Sequence, residues 1–287
     1  MARKDKGLNG MLKRFNRRVW RYSLWIWIIV VVALVLLSSR YISGVNDSSS
    51  GAVAQTAQAL EQVKMPGNVD YKICTYIGYT SYFSPKLHVP LCVIYELTAE
   101  EAAGTQPRYQ GQFICDESVE GCPKHDDYTY SGYDRGHMAP SGDMKWSEEA
   151  MRQSFYLTNI CPQIKALNTG QWNTLESRVR EWVKRDSTLI VATGPIIGDK
   201  YETIGDNDVA VPEKFYKVIL APNANPPRAI AFVYANAKPD GKLEQHAVSV
   251  DYVEAATGID FFSALDDDVE NEVESQCYYQ QWNVRAK

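Results

Sequence analysis

Histidine is scarce in this 287-residue sequence, with four copies, and neither the histidines nor the six cysteines form a Cys-x-x-Cys pair or a cluster with zinc-ligand spacing. That absence excludes a zinc-finger type of structural site. No internal repeat is present, which argues against a solenoid. Acid is nearly missing from the first forty positions, where Asp5 stands alone against nine Lys and Arg. Charge of either sign is missing altogether from residues 22–39.

The last two gaps coincide with a feature. The uncharged stretch contains an apolar run at residues 24–37, at the short end of the about 17–25 residues a helix needs to span a bilayer. Trp20, Tyr22, Trp25 and Trp27 stand where interfacial aromatics are expected, and the basic excess before them keeps that end in the cytoplasm. The expectation is a retained single-pass anchor with the remainder exported to a periplasmic or extracellular face. A cleaved secretory signal is the rival, but the nearest cleavage-like sequence, Ala52-Val53-Ala54, lies far beyond the apolar run. Up to Arg40 the net charge is +8, so the whole-chain value of −5 leaves −13 for residues 41–287.

All six cysteines (Cys74, Cys92, Cys115, Cys122, Cys161, Cys277) lie after the apolar run. An exported compartment permits disulfides, and the sequence does not assign the pairing. Cys115 with Cys122 is the first candidate, closing a short loop that contains Gly121. The expected organisation is a basic N-terminus at 1–21, the anchor at 22–39, a Ser-, Gly-, Ala- and Gln-rich linker at 40–68 and one folded domain at 69–287.

Within that domain, runs rich in β-branched and aromatic residues at 71–83, 89–97, 188–193, 215–220 and 228–234 predict mainly antiparallel strands. Between them lie two helical patterns. Residues 148–155 form a short helix capped by Ser147, with Glu148 and Glu149 in its first turn. Residues 170–184 form a longer one, on which Trp172, Leu175, Val179, Trp182 and Val183 make one apolar stripe. The fold class is α+β, a mixed and mainly antiparallel sheet core with helices.

One histidine has a distinctive setting. His137 ends Asp134-Arg135-Gly136-His137, with Gly132, Gly142 and Pro140 nearby to bend the chain. Histidine can accept a proton from water near neutral pH, and arginine's planar fork matches phosphate oxygens. The same four residues also suit a structural loop with a surface ion pair. His88, His125 and His246 read as surface or satisfied-core residues. On the long helix Glu176 and Arg180 fall at the edge of the apolar stripe, four residues apart. An ordinary helix salt bridge explains that spacing equally well. Asn159 and Asn168 lie in turn-like segments, where an Asx turn or cap is the plain reading.

Taken in order, Asp134-Arg135-Gly136-His137, Thr158-Asn159-Ile160-Cys161-Pro162-Gln163 and Leu167-Asn168-x-Gly170-x-Trp172-x-x-Leu175-Glu176 resemble the DNA/RNA non-specific endonuclease family, the ββα-metal nucleases that include endonuclease G. The resemblance extends over residues 71–281 and takes in Thr193-Gly194-Pro195 and the segments at 211–217 and 249–262. It implies a ββα-metal motif and a hydrolase that cuts DNA and RNA. In that scheme His137 is the general base, and Asn168 is the sole protein ligand of a Mg²⁺-type ion, with Mn²⁺ as an alternative. Glu176 holds metal-bound waters, Arg135 and Arg180 meet the phosphate, and Asp134 and Asn159 support the geometry. Cys161 departs from the Ser or Thr of many relatives, which brings in a disulfide there or redox sensitivity near the site. Arg108 is the nearest candidate for a further phosphate-contacting arginine.

A net −13 sits awkwardly with nucleic acid as partner, because phosphate neutralisation usually supplies most non-specific affinity. The rivals are therefore a membrane-anchored nucleic-acid-binding module and a phosphodiesterase acting on small nucleotides. Oligomeric state is not legible in the sequence, and a homodimer is kept as one arrangement.

Overall fold

Alternation along the strands decides the architecture. In β6 (Thr188–Ile196) Leu189 and Val191 face one core while Ile190 and Ala192 face another. β9 (Lys214–Ala221) repeats this, with Phe215 and Ile219 against Tyr216, Val218 and Leu220. A strand buried on both sides needs cover on both sides, and the chain supplies it. The computed structural model describes residues 59–283. Beside a small ribbon of β7 (Thr203–Ile204) and β8 (Val209–Ala210), it has a seven-stranded sheet in the order β1-β2-β3-β6-β9-β10-β11. The remaining members are β1 (Lys72–Thr75), β2 (Thr80–Ser84), β3 (Val89–Thr98), β10 (Arg228–Ala235) and β11 (Ala247–Val248). Every pairing between these strands is antiparallel, as the β-branched runs predict; a parallel bridge joins Ile114 and Tyr156.

A short helix, α1 (Ala99–Ala102), comes after β3, and α2 (Glu148–Gln153) is capped by the Ser147 side chain as expected, through the Ala150 amide. The first face of the sheet is covered by α3 (Asn173–Asp186), whose Leu175, Val179, Trp182 and Val183 are buried. Burying each such side chain contributes about 1.5–3 kcal/mol, so the stripe read from the sequence is what docks the helix. The second face is covered by α4 (Val250–Thr257) and α5 (Asp267–Ser275), through Val250, Val253 and Val273. A last turn, α6 (Tyr279–Trp282), packs Trp282 against Trp182.

The domain begins earlier than residue 69. Leu60 and Val63 are buried in the second-face core, and Lys64 pairs through its backbone with Asp260. Two apolar side chains in a Ser-, Gly- and Ala-rich context give little periodic signal, which is why the stretch reads as linker. The anchor at 22–39 lies outside the described residues. Among the described residues no helix is long and apolar enough to cross a membrane. All six cysteines are free thiols. Cys115 and Cys122 nevertheless meet, with Cys115 Sγ donating to the Cys122 carbonyl at 3.5 Å.

Candidate active site

A small two-stranded sheet stands on the first face. β4 (Asp134–His137) pairs antiparallel with β5 (Ile160–Gln163), setting His137 opposite Ile160 and Gly136 opposite Cys161. Only glycine fits at 136, since a Cβ there would lie 2.5 Å from Gln163 Oε1 and 2.7 Å from its Cβ. From β5 the chain passes through a helical turn (Lys165–Leu167) and a wide turn (Asn168–Trp172), kinked at Gly170, into α3. Such π-type turns recur at functional sites. Two strands and a helix thus surround an open cavity of about 480 Å³, lined by Arg108, Arg135, His137, Lys145, Asn168, Glu176 and Arg180 among others.

The His137 ring is clamped by aromatics, with Phe113 at 5.3 Å and Phe155 at 5.0 Å between centroids. Its Nε2 is enclosed without a hydrogen-bond partner. Burial, assisted by the positive charge of Arg108, lowers its pKa to about 3. The imidazole is therefore neutral at ordinary pH, as a base must be. Behind it Asn159 is fully buried and fastens the chain just after β4. Its Oδ1 accepts from the Ala139 amide at 2.8 Å, and its Nδ2 donates to the carbonyls of Ala139 at 2.9 Å and Ser154 at 2.8 Å.

Asp134 and Asn168 meet across the cavity wall. Asn168 Nδ2 donates to Asp134 Oδ2 at 2.9 Å, which fixes the amide and leaves its carbonyl oxygen free of that contact. Glu176 lies one turn into α3. Burial raises its carboxyl to about 7, against the pull of Lys217 and with a push from Asp143.

Arg180 is not paired with Glu176 in a helix salt bridge. Its Nη1 binds Asp143 Oδ1 at 2.7 Å, and Asp143 in turn accepts from the Tyr95 hydroxyl at 2.8 Å. Asp143 is 1% exposed, so this pair is a fixed support for the guanidinium. Arg135 reaches the cavity but donates through Nη2 to the His125 carbonyl and Thr129 Oγ1, and its guanidinium lies over Phe113 and Tyr128. Part of its fork is therefore committed to the 125–129 turn.

The motif residues meet here as their order in the chain suggests. Arg108, the candidate for a further phosphate-contacting arginine, enters the cavity, donates to Ser141 Oγ and lies over Phe155. Two buried supports carry no motif. Asp143 sits inside the stretch that holds His137, yet nothing local marks it as the partner of a residue on α3. Lys217 is 1% exposed and donates to Thr193 Oγ1 at 2.7 Å, over the Trp172 ring. Burial lowers its pKa to about 8, opposed by Glu176 and Asp143. The available signal was parity, because Lys217 alternates with Tyr216 and Val218 and so points to the first face with Phe215 and Ile219.

Cys161 also differs from expectation. It is fully buried, and burial holds its thiol well above the usual range, which disfavours the reactive thiolate. The other histidines keep plain roles. His88 Nδ1 contacts the Gly121 carbonyl at 2.6 Å, and His246 stacks on Tyr234 at 4.0 Å. His125 stacks on Phe113 at 6.4 Å, beside the site rather than in it.

Four cations, Arg108, Arg135, Lys145 and Arg180, share the cavity wall with one carboxylate, Glu176. A larger hollow of about 620 Å³, lined by Glu61, Glu96 and Glu101 among others, has no basic residue in its wall. An anion fits the first and is repelled by the second.

The family model described as DNA/RNA non-specific endonuclease matches residues 56–268. Among curated relatives, a mitochondrial nuclease EXOG of Danio rerio is 36% identical over 265 residues, covering 81% of this chain and 77% of its own. The Xenopus laevis nuclease EXOG is 38% identical over 213 residues, covering 67% of this chain and 59% of its own. The chain thus spans about three fifths of the frog relative's length. A crystal structure of an EndoG/EndoGI complex, 32% identical, superposes with a TM-score of 0.66 and covers 75% of this chain and 92% of the matched one.

Proposed function

The chain belongs to the DNA/RNA non-specific endonuclease family, and from that premise we propose that it is a divalent-metal-dependent endonuclease hydrolysing phosphodiester bonds in DNA and RNA. The observation that supports this most is the company His137 keeps. A neutral, clamped imidazole shares one cavity with Arg108, Arg180 and an asparagine whose amide is oriented by Asp134.

The donor set fits a Mg²⁺-type ion. Asn168 spends its N–H on Asp134, so its Oδ1 is the atom offered to a cation. Glu176 is a carboxylate raised by burial, which a nearby divalent charge would ionise. Mg²⁺ keeps several of its waters, so one protein oxygen and one outer carboxylate suffice, and Mn²⁺ accepts the same donors. A bound cation would supply positive charge to the scissile phosphate and to the departing 3′ oxygen.

The protein's own groups do the rest. Arg108 and Arg180, with the free part of the Arg135 fork, hold the non-bridging phosphate oxygens, and the Asp143 and Ser141 contacts keep two of those guanidiniums in place. An arriving phosphate anion raises the proton affinity of His137. His137 takes a proton from a water as that water's oxygen bonds to phosphorus. The P–O3′ bond breaks as the departing oxygen takes a proton from a solvent water, leaving a 3′ hydroxyl on one product and a 5′ phosphate on the other, and His137 returns its proton to solvent. Backbone phosphate is common to all sequences and to both sugars, which suits a cavity whose charged groups address phosphate.

The same reading tethers the enzyme through residues 22–39 with its catalytic domain exported, tested by protease accessibility in intact cells. It keeps a homodimer as one assembly, tested by sedimentation. The activity itself is tested with the purified full chain on supercoiled plasmid and on single-stranded RNA, in Mg²⁺ or in EDTA. The expected result is degradation of both substrates in Mg²⁺ and of neither in EDTA. Cleavage undiminished by excess chelator would overturn the metal role. Binding without cleavage by the folded protein would point to a binding module, and turnover of small nucleotides alone to the narrower phosphodiesterase.

A further inference from the structure

On the second face of the sheet, far along the chain from the residues of the cavity, three carboxylates converge between two helices. Asp251 and Glu254 lie one turn apart on α4, and Glu274 lies on α5; one oxygen from each falls within 4.8 Å of the others. Acidic clusters on exposed surfaces are common and need no ligand. Glu274 is different, because it is 5% exposed and its Oε1 is enclosed with no hydrogen-bond partner. A buried carboxylate is ordinarily hydrogen-bonded or paired with a cation.

The surroundings make the deficit worse. Asp260 and Glu270 add further negative charge around Glu274, and burial together with Glu254, Glu270, Asp251 and Asp260 raises its carboxyl to about 9. Lys64 stands at the edge of the group, but it pairs with Asp260 at 3.1 Å on the surface. Glu254 uses Oε1 to accept from the Phe261 amide at 2.8 Å, so its position is fixed while the second oxygen is available. The cluster therefore has preset donors, an unsatisfied buried oxygen and a surplus of negative charge.

We infer that Asp251, Glu254 and Glu274 form a Ca²⁺ site that clamps α5 onto α4. The donors are all hard carboxylate oxygens, which suit Ca²⁺ or Mg²⁺ and not a softer metal. Three oxygens that lie within 4.8 Å of one another fall within the reach of a single ion. Ca²⁺ accepts irregular sets of carboxylate oxygens at about 2.3–2.6 Å, whereas Mg²⁺ demands a near-ideal octahedron and gives up its waters reluctantly. The exposed Asp251 side leaves room for waters to complete the shell. Binding displaces the Glu274 proton, so affinity rises with pH.

The site is independent of the cavity, and its test is binding rather than activity. Equilibrium dialysis of the full chain against Ca²⁺, with thermal melts in Ca²⁺ and in EDTA, is compared among the wild type, Glu274→Gln and Asp251→Asn. The expected result is that the wild type binds one more Ca²⁺ per chain than either variant and gains melting temperature in Ca²⁺. The variants lose that gain yet melt with the wild type in EDTA and keep its plasmid cleavage in Mg²⁺. Asn168→Ala, altered on the other face, keeps the Ca²⁺-dependent gain. Equal Ca²⁺ stoichiometry in the wild type and Glu274→Gln, or loss of the gain in Asn168→Ala alone, would overturn the proposal.

Discussion

The two faces of the central sheet are built by alternate residues of the same strands and carry opposite charge. On β9, Lys217 and its neighbours Phe215 and Ile219 look toward the cavity, where Arg108, Arg135, Lys145 and Arg180 gather. Tyr216 and Val218 look toward α4 and α5, where Asp251, Glu254 and Glu274 gather. Net charge is therefore a poor guide to this site. The deficit of −13 beyond Arg40 describes an average over faces, and the wall that would meet phosphate has the other sign.

Substitutions that separate the faces sharpen this picture. Among substitutions of residues that support or surround the base, the largest effect is expected from Arg180→Ala, which removes a preorganised phosphate contact and leaves Asp143 buried without its cation. Cleavage falls about 10²- to 10³-fold, measured as kcat/KM on a fluorogenic oligonucleotide; a loss under about threefold would show that Arg180 serves packing alone. Asp134→Ala comes next. It frees the Asn168 amide, and Mg²⁺ affinity falls about 10- to 100-fold, read from the Mg²⁺ dependence of the rate. If only the maximal rate fell, with Mg²⁺ affinity unmoved, the orienting role would be wrong.

The pH profile ranks third. Glu176, raised to about 7, is protonated below that value and ionised above it. A cation and a proton compete for it, so apparent Mg²⁺ affinity falls toward about tenfold per pH unit below 7. Excess Mg²⁺ should move the acid limb to lower pH, and a limb that ignores Mg²⁺ would assign it to another group. The smallest effect belongs to Ser147→Ala, which removes the α2 cap at a cost of about 1 kcal/mol in denaturant unfolding. Its activity at low temperature should match the wild type.

The sequence made the strands, the long helix and the motif residues legible because each is a local pattern. Asp134 to His137 are contiguous, and the stripe from Leu175 to Val183 needs only helical periodicity. The contacts that join them are not local. Asp143 meets Arg180 across 37 positions and Tyr95 across 48. Lys217 donates to Thr193 on the neighbouring strand, 24 positions away. Phe113 and Phe155, which enclose His137, have no motif, and aromatic residues in a core-rich sequence carry no mark of the side chain they will touch. The start of the domain was missed for a related reason, since Leu60 and Val63 find their core among residues near 250–273.

The central claim is that His137 takes the proton from the attacking water. It is tested by single-turnover cleavage of plasmid and RNA by His137→Ala in saturating Mg²⁺, beside a thermal melt. The expected result is a loss of about 10²- to 10⁴-fold in rate on both substrates by a protein that still folds, with any fall in melting temperature coming from the lost packing of the ring against Phe113 and Phe155. A folded His137→Ala enzyme that cuts either substrate within a few fold of the wild-type rate would contradict it.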